Sequence, residues 1–164
     1  MKKTAVLLVY FVMLTFSMGI NASSAVVKRV WLEHHVYQDG VKGMKIHVHF
    51  TVQGMQGEGG KCIAYFEYPK GSGLRDINGK YATTDGHVCC SKTFTPSYSN
   101  SEYSDFSLFI PVSELHLPAG ENTIYADVEI YDTVRKKFLS NCYVSFVAIR
   151  KDEMLVQILS KIKR

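Results

Sequence analysis

Two histidines, His47 and His49, lie two residues apart in a segment where apolar and polar residues alternate. In a β-strand this spacing places both imidazole rings on the same side, where they suit two ligands of a zinc or copper ion. The sequence identifies no third ligand for such an ion. The alternative is a solvated sheet face that tolerates histidine. The pair stays a candidate for metal binding, but we adopt the solvated face and expect no cofactor.

Residues 87–90, with the sequence His-Val-Cys-Cys, combine soft metal ligands with nucleophiles. With His116 or Cys62 they would suit a metal ion. On one strand face, His87 and Cys89 would suit a thiol nucleophile beside its base. The chain contains neither the G-x-S-x-G nor the H-E-x-x-H motif, which are the local signatures of serine and zinc hydrolases. We therefore predict no catalytic residue.

Tyrosine is abundant, with ten residues in the chain. Four of them fall in predicted loops or on outward strand positions: Tyr98, Tyr103, Tyr125 and Tyr131. Exposed tyrosines suit recognition surfaces because they combine a large contact area with few rotatable bonds and one polar tip. The alternative is that they cover the flanks of a sheet, where tyrosine is common. We predict that these four contribute to binding.

The elements that position these residues are short segments of alternating polarity, separated by turn residues. In residues 45–52 and 122–131, apolar and polar side chains alternate strictly, which is typical of half-buried strands in an antiparallel sheet. The Ser- and Tyr-rich residues 95–104 indicate an exposed loop. Seven or eight such strands predict an all-β fold: an antiparallel two-sheet sandwich, immunoglobulin-like in general form, over residues 26–149. Its predicted core is Ile46, Val48, Phe50, Ala64, Phe66, Ile124, Val128, Ile130, Val144 and Phe146.

The first 25 residues resemble a secretory signal peptide. Lys2 and Lys3 precede an apolar run in residues 5–16, and a small, polar stretch ends at Ala25, where we place the cleavage. The apolar run is shorter than the roughly 20 residues that cross a bilayer. No cysteine follows it at a lipid-attachment position. We expect export to a bacterial periplasm or the extracellular space, and not as a lipoprotein.

In such an oxidising compartment the four cysteines are disulfide candidates, and they permit three full pairings: Cys62, Cys89, Cys90 and Cys142. A bond between the neighbours Cys89 and Cys90 is disfavoured, since adjacent α-carbons lie about 3.8 Å apart and disulfides need about 4.4–6.8 Å. We predict that Cys62 pairs with Cys89 or Cys90, closing a loop of about 27 residues. Unpaired buried thiols are the alternative.

The last residues, 150–164, change to helical periodicity. Their apolar residues recur at helix spacing, with acidic residues at the start and basic residues at the end. We predict an amphipathic, basic helix that packs on the sandwich or contacts a membrane or a partner. The net charge of +4 is concentrated in the two ends of the chain. The body between them is nearly neutral, which argues against nucleic-acid binding.

Three groups of segments resemble a small β-sandwich module of exported and multidomain bacterial proteins. They are residues 43–50 with 62–66, residues 78–81 with 84–86, and residues 94–117. Some members of that family carry the module after helical repeats or a zinc ribbon. The resemblance covers roughly residues 30–132 and implies a fold, since the family has no agreed activity. Its pattern includes neither the adjacent Cys89 and Cys90 nor the helical tail.

From these features we predict an exported, non-catalytic binding or accessory module. It would recognise a protein or a glycan through a sheet face or the Tyr-rich loops. The alternative is a small metal- or thiol-dependent enzyme that uses one of two residue groups: His87, Cys89 and Cys90, or His47 and His49.

Overall fold

The computed structural model describes residues 22–150. The predicted C-terminal helix and most of the predicted signal peptide lie outside these residues. The first strand, β1 (Ser24–Gln38), begins just before the predicted cleavage site. Its first residues, Ser24 and Ala25, already pair with Gln53 and Val52 of the neighbouring strand.

The described residues form seven strands in two antiparallel sheets, as predicted for an all-β sandwich. After β1 come β2 (Val41–Gln53), β3 (Gly60–Glu67), β4 (Cys89–Phe94), β5 (Asn100–Pro111), β6 (Gly120–Asp132) and β7 (Lys137–Arg150). A single 3-10 helix, Val112–Leu115, joins β5 to β6. One sheet has the order β1-β2-β5 and the other β4-β3-β6-β7. Within residues 22–150, no helix is long and apolar enough to cross a bilayer.

Strict alternation in β2 and β6 determines which side of each sheet is buried. The inward side chains of β2 are Ile46, Val48, Phe50 and Val52, and those of β6 are Ile124, Ala126, Val128 and Ile130; all are at most 1% exposed. The predicted register of both strands is therefore confirmed. A slip of one residue would expose all of these side chains to water and bury their polar neighbours.

The inward faces of the two sheets share one hydrophobic core. Nine of the ten predicted core residues are buried, and the tenth, Val144, is half-buried and packs against the others. A cluster of four aromatic rings joins the sheets: Phe50, Tyr103 and Phe106 from the three-stranded sheet, and Phe94 from the other. The closest pair is Phe50 and Tyr103, whose stacked rings lie 4.8 Å apart.

The prediction of an exposed loop at residues 95–104 is wrong for the second half of this segment. Strand β5 begins at Asn100, which pairs with Gln53, and Tyr103 pairs with Phe50. The pairing with β2 shifts by one residue between Val48 and Phe50, where β5 carries an extra residue. Such a bulge reverses the direction of the side chains beyond it. Tyr103 therefore packs into the core instead of facing solvent.

Replacing Phe50 with alanine should destabilise the protein by about 3–5 kcal/mol, because it removes a ring that is 0% exposed and packs against three other rings. Urea denaturation gives the free energy of unfolding. The control V26A changes a side chain that is 58% exposed and should stay within about 0.5 kcal/mol of the parent. Equal, small effects of both substitutions would contradict the assigned core.

Candidate functional site

The outer side of the four-stranded sheet collects aromatic and acidic side chains. They occupy the positions of β3, β6 and β7 that alternate with the core residues. We call this surface the tyrosine face and define it by Tyr65, Tyr125, Tyr131, Tyr143, Asp127 and Glu129. Because the strands are neighbours in the sheet, side chains directly opposite one another lie about 4.5–5.5 Å apart at Cβ and interact as pairs.

Asp127 lies at the centre of the tyrosine face. In the register of the sheet it is opposite Tyr65 on β3 and Tyr143 on β7. Burial raises the pKa of its carboxyl group, and hydrogen bonds from Tyr143 and Asn141 only partly oppose this. Its Oδ1 atom is buried, and no other residue of the described part of the chain forms a hydrogen bond with it. The sheet therefore holds a carboxylate where its charged form is disfavoured.

Two neighbours of Asp127 share this environment. Burial raises the pKa of Glu129, and the charge of Asp127 raises it further. Burial, followed by the negative charge of Glu129, raises the pKa of Tyr65 to about 12. The phenol of Tyr65 is therefore neutral at physiological pH and available as a hydrogen-bond donor. Perturbed acids grouped on one open surface are more typical of binding sites than of structural surfaces.

A shallow pocket of about 430 Å³ lies at one end of the tyrosine face. Its walls include the rings of Tyr68, Tyr125 and Tyr143, with Glu67 and Lys70 at the rim. Lys70 has a backbone φ of 118°, a conformation that residues other than glycine rarely adopt. The pocket thus offers several aromatic surfaces and both signs of charge to a small group.

Large apolar side chains extend the tyrosine face along β7. Four of them are more than half exposed: Phe138, Tyr143, Val147 and Ile149. Phe138 also packs on Tyr131, with the ring centres 4.9 Å apart. An apolar strip of this kind next to polar groups is characteristic of interaction surfaces.

The four predicted binding tyrosines lie in three different environments. Tyr125 and Tyr131 are on the tyrosine face, half-buried among their neighbours. Tyr98 is 72% exposed in the connection between β4 and β5. For Tyr103 the predicted exposed position is wrong, since it stacks on Phe50 in the core. The sequence alone did not identify Tyr65 and Tyr143, because their proximity depends on the pairing of β3, β6 and β7.

His47 and His49 face solvent from the opposite sheet, but each contacts its own carboxylates. His47 Nδ1 lies 2.6 Å from Asp105 and its Nε2 lies 3.2 Å from Glu33. Its ring also stacks on Trp31, with the centres 5.0 Å apart. His49 Nε2 instead contacts Glu102 at 2.6 Å. The surface of Trp31, His47 and His49, which we call the histidine face, thus consists of separate histidine–carboxylate pairs.

Glu102 illustrates how polar the histidine face is. Hydrogen bonds from Lys28 and then from His49 lower the pKa of Glu102 to about 2, although its side chain is half exposed. Ion pairs at this exposure are screened by solvent and contribute little stability. These contacts give each histidine its own hydrogen-bond partner, and they do not bring the two histidines together in one site.

The cysteines do not form the predicted disulfide, and all four are free. In the register of the sheet, Cys62 is opposite Lys92, and Cys90 is opposite Ala64. Cys62 and Cys90 are therefore diagonal neighbours, at a spacing of about 7–8 Å that exceeds disulfide geometry. Cys89 faces the other side of the sheet. Cys142 lies on β7, separated from β3 by β6.

The thiols of Cys62, Cys89 and Cys90 are poor nucleophiles. Burial raises the pKa of Cys62 to about 12, and burial also raises the pKa of Cys90 and of Cys89. Cys89 and Cys90 line a cavity of about 530 Å³ between the edges of the two sheets. Since the thiolate is the reactive form, this cavity lacks an activated sulfur at neutral pH.

The predicted metal groups also do not assemble. Within residues 22–150, three potential ligands come together in one place only, and these are Asp76, Glu114 and His116. Neither His87 with the cysteines nor His47 with His49 belongs to such a group. His116 is a ligand candidate from sequence, whereas Asp76 and Glu114 are not, because Asp76 reaches His116 only through the packing of the β3–β4 connection on the 3-10 helix.

Comparison with known proteins does not identify a family for this chain. No protein-family model matches the sequence, and no curated protein is significantly similar to it.

Replacing Asp127 with asparagine should stabilise the protein at pH 7 by at most about 1 kcal/mol, because it removes the charge of a half-buried carboxylate whose burial penalty is reduced by solvent screening. The folded state raises the pKa of Asp127 above its unfolded value of about 4. Folding therefore favours the protonated acid, and the penalty of the charged form declines as pH falls through the raised folded-state pKa and is absent below the unfolded value. The gain from D127N should shrink accordingly between pH 7 and pH 3.5.

Urea denaturation at the two pH values measures this effect. The control E121Q changes an exposed carboxylate of the same strand and should alter stability by less than about 0.5 kcal/mol. A D127N variant that is less stable than the parent at pH 7, or a gain equal at both pH values, would contradict this description of Asp127.

Thiol titration without reductant should detect four cysteines in urea. In the native protein, only the half-exposed Cys89 and Cys142 should react on the timescale of minutes, because Cys62 and Cys90 are buried. Recovery of fewer than four thiols in urea would indicate a disulfide and contradict the structure.

Proposed function

We propose that the chain is an exported, non-catalytic binding module that recognises a protein partner through the tyrosine face. The observation that carries this proposal is the half-buried Asp127 carboxyl between Tyr65 and Tyr143. An isosteric amide would avoid the cost of burying this charge. Residues that reduce stability in this way are typical of functional surfaces.

The chemistry of the surface indicates a partner with a basic group beside an apolar strip. Asp127 and Glu129 can accept hydrogen bonds from a lysine or arginine, and the surrounding tyrosine rings can add cation–π contacts. The exposed residues of β7, such as Val147 and Ile149, would cover an apolar part of the same partner. Tyrosine and apolar side chains around a small charged centre match the composition of protein interfaces.

A glycan is the second candidate ligand, and the shallow pocket favours it. The rings of Tyr68, Tyr125 and Tyr143 offer flat surfaces, and Glu67 and Lys70 offer a hydrogen-bond acceptor and a donor. Apart from Tyr143, the apolar strip along β7 does not line this pocket and has no role in such binding. For that reason we place the protein partner first.

We further infer that the domain is immunoglobulin-like. In immunoglobulin sandwiches, strands A, B and E pair in one sheet and strands C, F and G in the other. The orders β1-β2-β5 and β3-β6-β7 correspond to these strands, with β4 added beside the C strand. Such domains commonly serve recognition in exported proteins. The arrangement also agrees with the resemblance to exported bacterial sandwich modules.

The enzymatic alternative has less support. Burial keeps the thiols of Cys89 and Cys90 protonated. His47 and His49 contact different carboxylates and do not share a site. A catalytic cysteine needs the opposite environment, with a lowered pKa.

Site-specific photocrosslinking in the native host tests the proposal. A benzophenone-bearing residue is placed at Tyr143 on the tyrosine face, at Tyr98 in the loop, or at Tyr37. Tyr37 is 69% exposed on the three-stranded sheet and serves as the matched control. We expect a discrete protein adduct from position 143 and none from position 37, because only the first lies on the proposed surface.

Adding D127N to the position-143 protein should reduce the adduct by about tenfold, as expected for loss of one buried charged contact. Adducts from position 98 alone would assign binding to the loop. Equal adducts from positions 37 and 143, or none at 143, would contradict the proposed protein partner. A glycan array bound by the parent but not by Y125A would then support the second candidate.

A further inference from the structure

Three side chains that bind divalent metals meet at one end of the sandwich. Asp76 lies in the connection between β3 and β4, Glu114 lies in the 3-10 helix, and His116 directly follows that helix. One ligand atom from each lies within 4.8 Å of the others. Asp76 and His116 are 40 residues apart in sequence, so the fold creates this group.

The distances within the group match those between ligands of one ion. His116 Nε2 lies 2.9 Å from Asp76 Oδ1 and 3.7 Å from Glu114 Oε2. Two atoms that each bind a metal at about 2.0–2.2 Å are separated by about 2.8–3.6 Å at octahedral and tetrahedral angles. Small side-chain rotations would therefore place all three atoms around a shared ion.

A second, independent observation concerns the other oxygen of Asp76. The Asp76 side chain is 0% exposed, and within residues 22–150 its buried Oδ2 atom has no hydrogen-bond partner. Nearly all buried polar atoms in proteins have a partner, and a carboxylate oxygen without one is costly. A cation beside His116 and Glu114 would satisfy this oxygen.

Both carboxylates are held in place by neighbouring side chains. Asp76 Oδ1 contacts His116 Nε2. Glu114 is 11% exposed and accepts a hydrogen bond of 2.7 Å from Asn78 Nδ2. Such contacts orient ligands around metal sites.

The lysine that pairs with this group within the described residues offsets little of its charge. Lys80 Nζ lies 4.0 Å from Glu114 Oε1, and the Lys80 side chain is 69% exposed. The pair is therefore weak and screened by solvent. A bound metal ion would compensate the charge of the two carboxylates.

We propose that Asp76, Glu114 and His116 bind one divalent transition metal ion of the zinc type. Two carboxylates and one imidazole are a ligand set for zinc, whereas calcium is bound by oxygen atoms alone. Three protein ligands leave one coordination position for water. The ion would link the connection between β3 and β4 to the 3-10 helix and hold these two segments together.

Titration calorimetry on the full chain, treated with EDTA and dialysed, tests the site with Zn²⁺ and Ca²⁺ as the added ions. We expect one Zn²⁺ per chain and no saturable binding of Ca²⁺. At a hundredfold excess of Zn²⁺ over Kd, the melting temperature should rise by at least about 5 °C. The variants H116Q and E114Q should each weaken Zn²⁺ binding at least tenfold.

The matched control is H49Q, which removes a histidine bound to a carboxylate elsewhere on the protein. It should bind Zn²⁺ as the parent does. Absence of 1:1 binding, unchanged affinity in H116Q, or an equal loss in H49Q would overturn the proposal. Should H116Q fail to fold, Co²⁺ added to the native chain supplies the second test. Visible bands of nitrogen- and oxygen-ligated cobalt that Zn²⁺ abolishes support the site, and their absence overturns it.

Discussion

The structure depends on the burial of alternate side chains in the central strands of each sheet. In β6, Ile124, Ala126, Val128 and Ile130 are fully buried, so the residues between them must face outward. This constraint places Asp127 and Glu129 on the outer surface, beside tyrosines contributed by the neighbouring strands. The register of β6 thus determines both the core and the tyrosine face, and a shift of that register would change both surfaces.

The sequence was sufficient to predict features that depend on local alternation. The strands around Phe50 and Val128, their inward residues and the all-β class follow from a period of two. Tyr125 was also placed correctly on an outward position, because its strand alternates without interruption. In each case the signal is contained within about ten consecutive residues.

Features that depend on register between strands or on loops were not predictable in the same way. Tyr103 was misplaced because a bulge in β5 reverses the side-chain direction, and composition carries no signal for it. The prediction of a disulfide at Cys62 is wrong because the residue opposite Cys62 is Lys92, two positions from Cys90. Asp76 and His116 meet only through the packing of two loops. Long-range proximity of this kind requires the assembled fold.

The central claim is that the tyrosine face, and not the histidine face, contacts the partner. The protein has a single tryptophan, Trp31, which stacks on His47 and reports on the histidine face. Fluorine NMR of the full chain labelled with fluorotyrosine and fluorotryptophan can follow both faces while envelope fractions of the native host are added. Our account predicts broadening or shifts of the Tyr125 and Tyr143 signals with Trp31 unchanged. A response at Trp31 with Tyr125 and Tyr143 unchanged would contradict it.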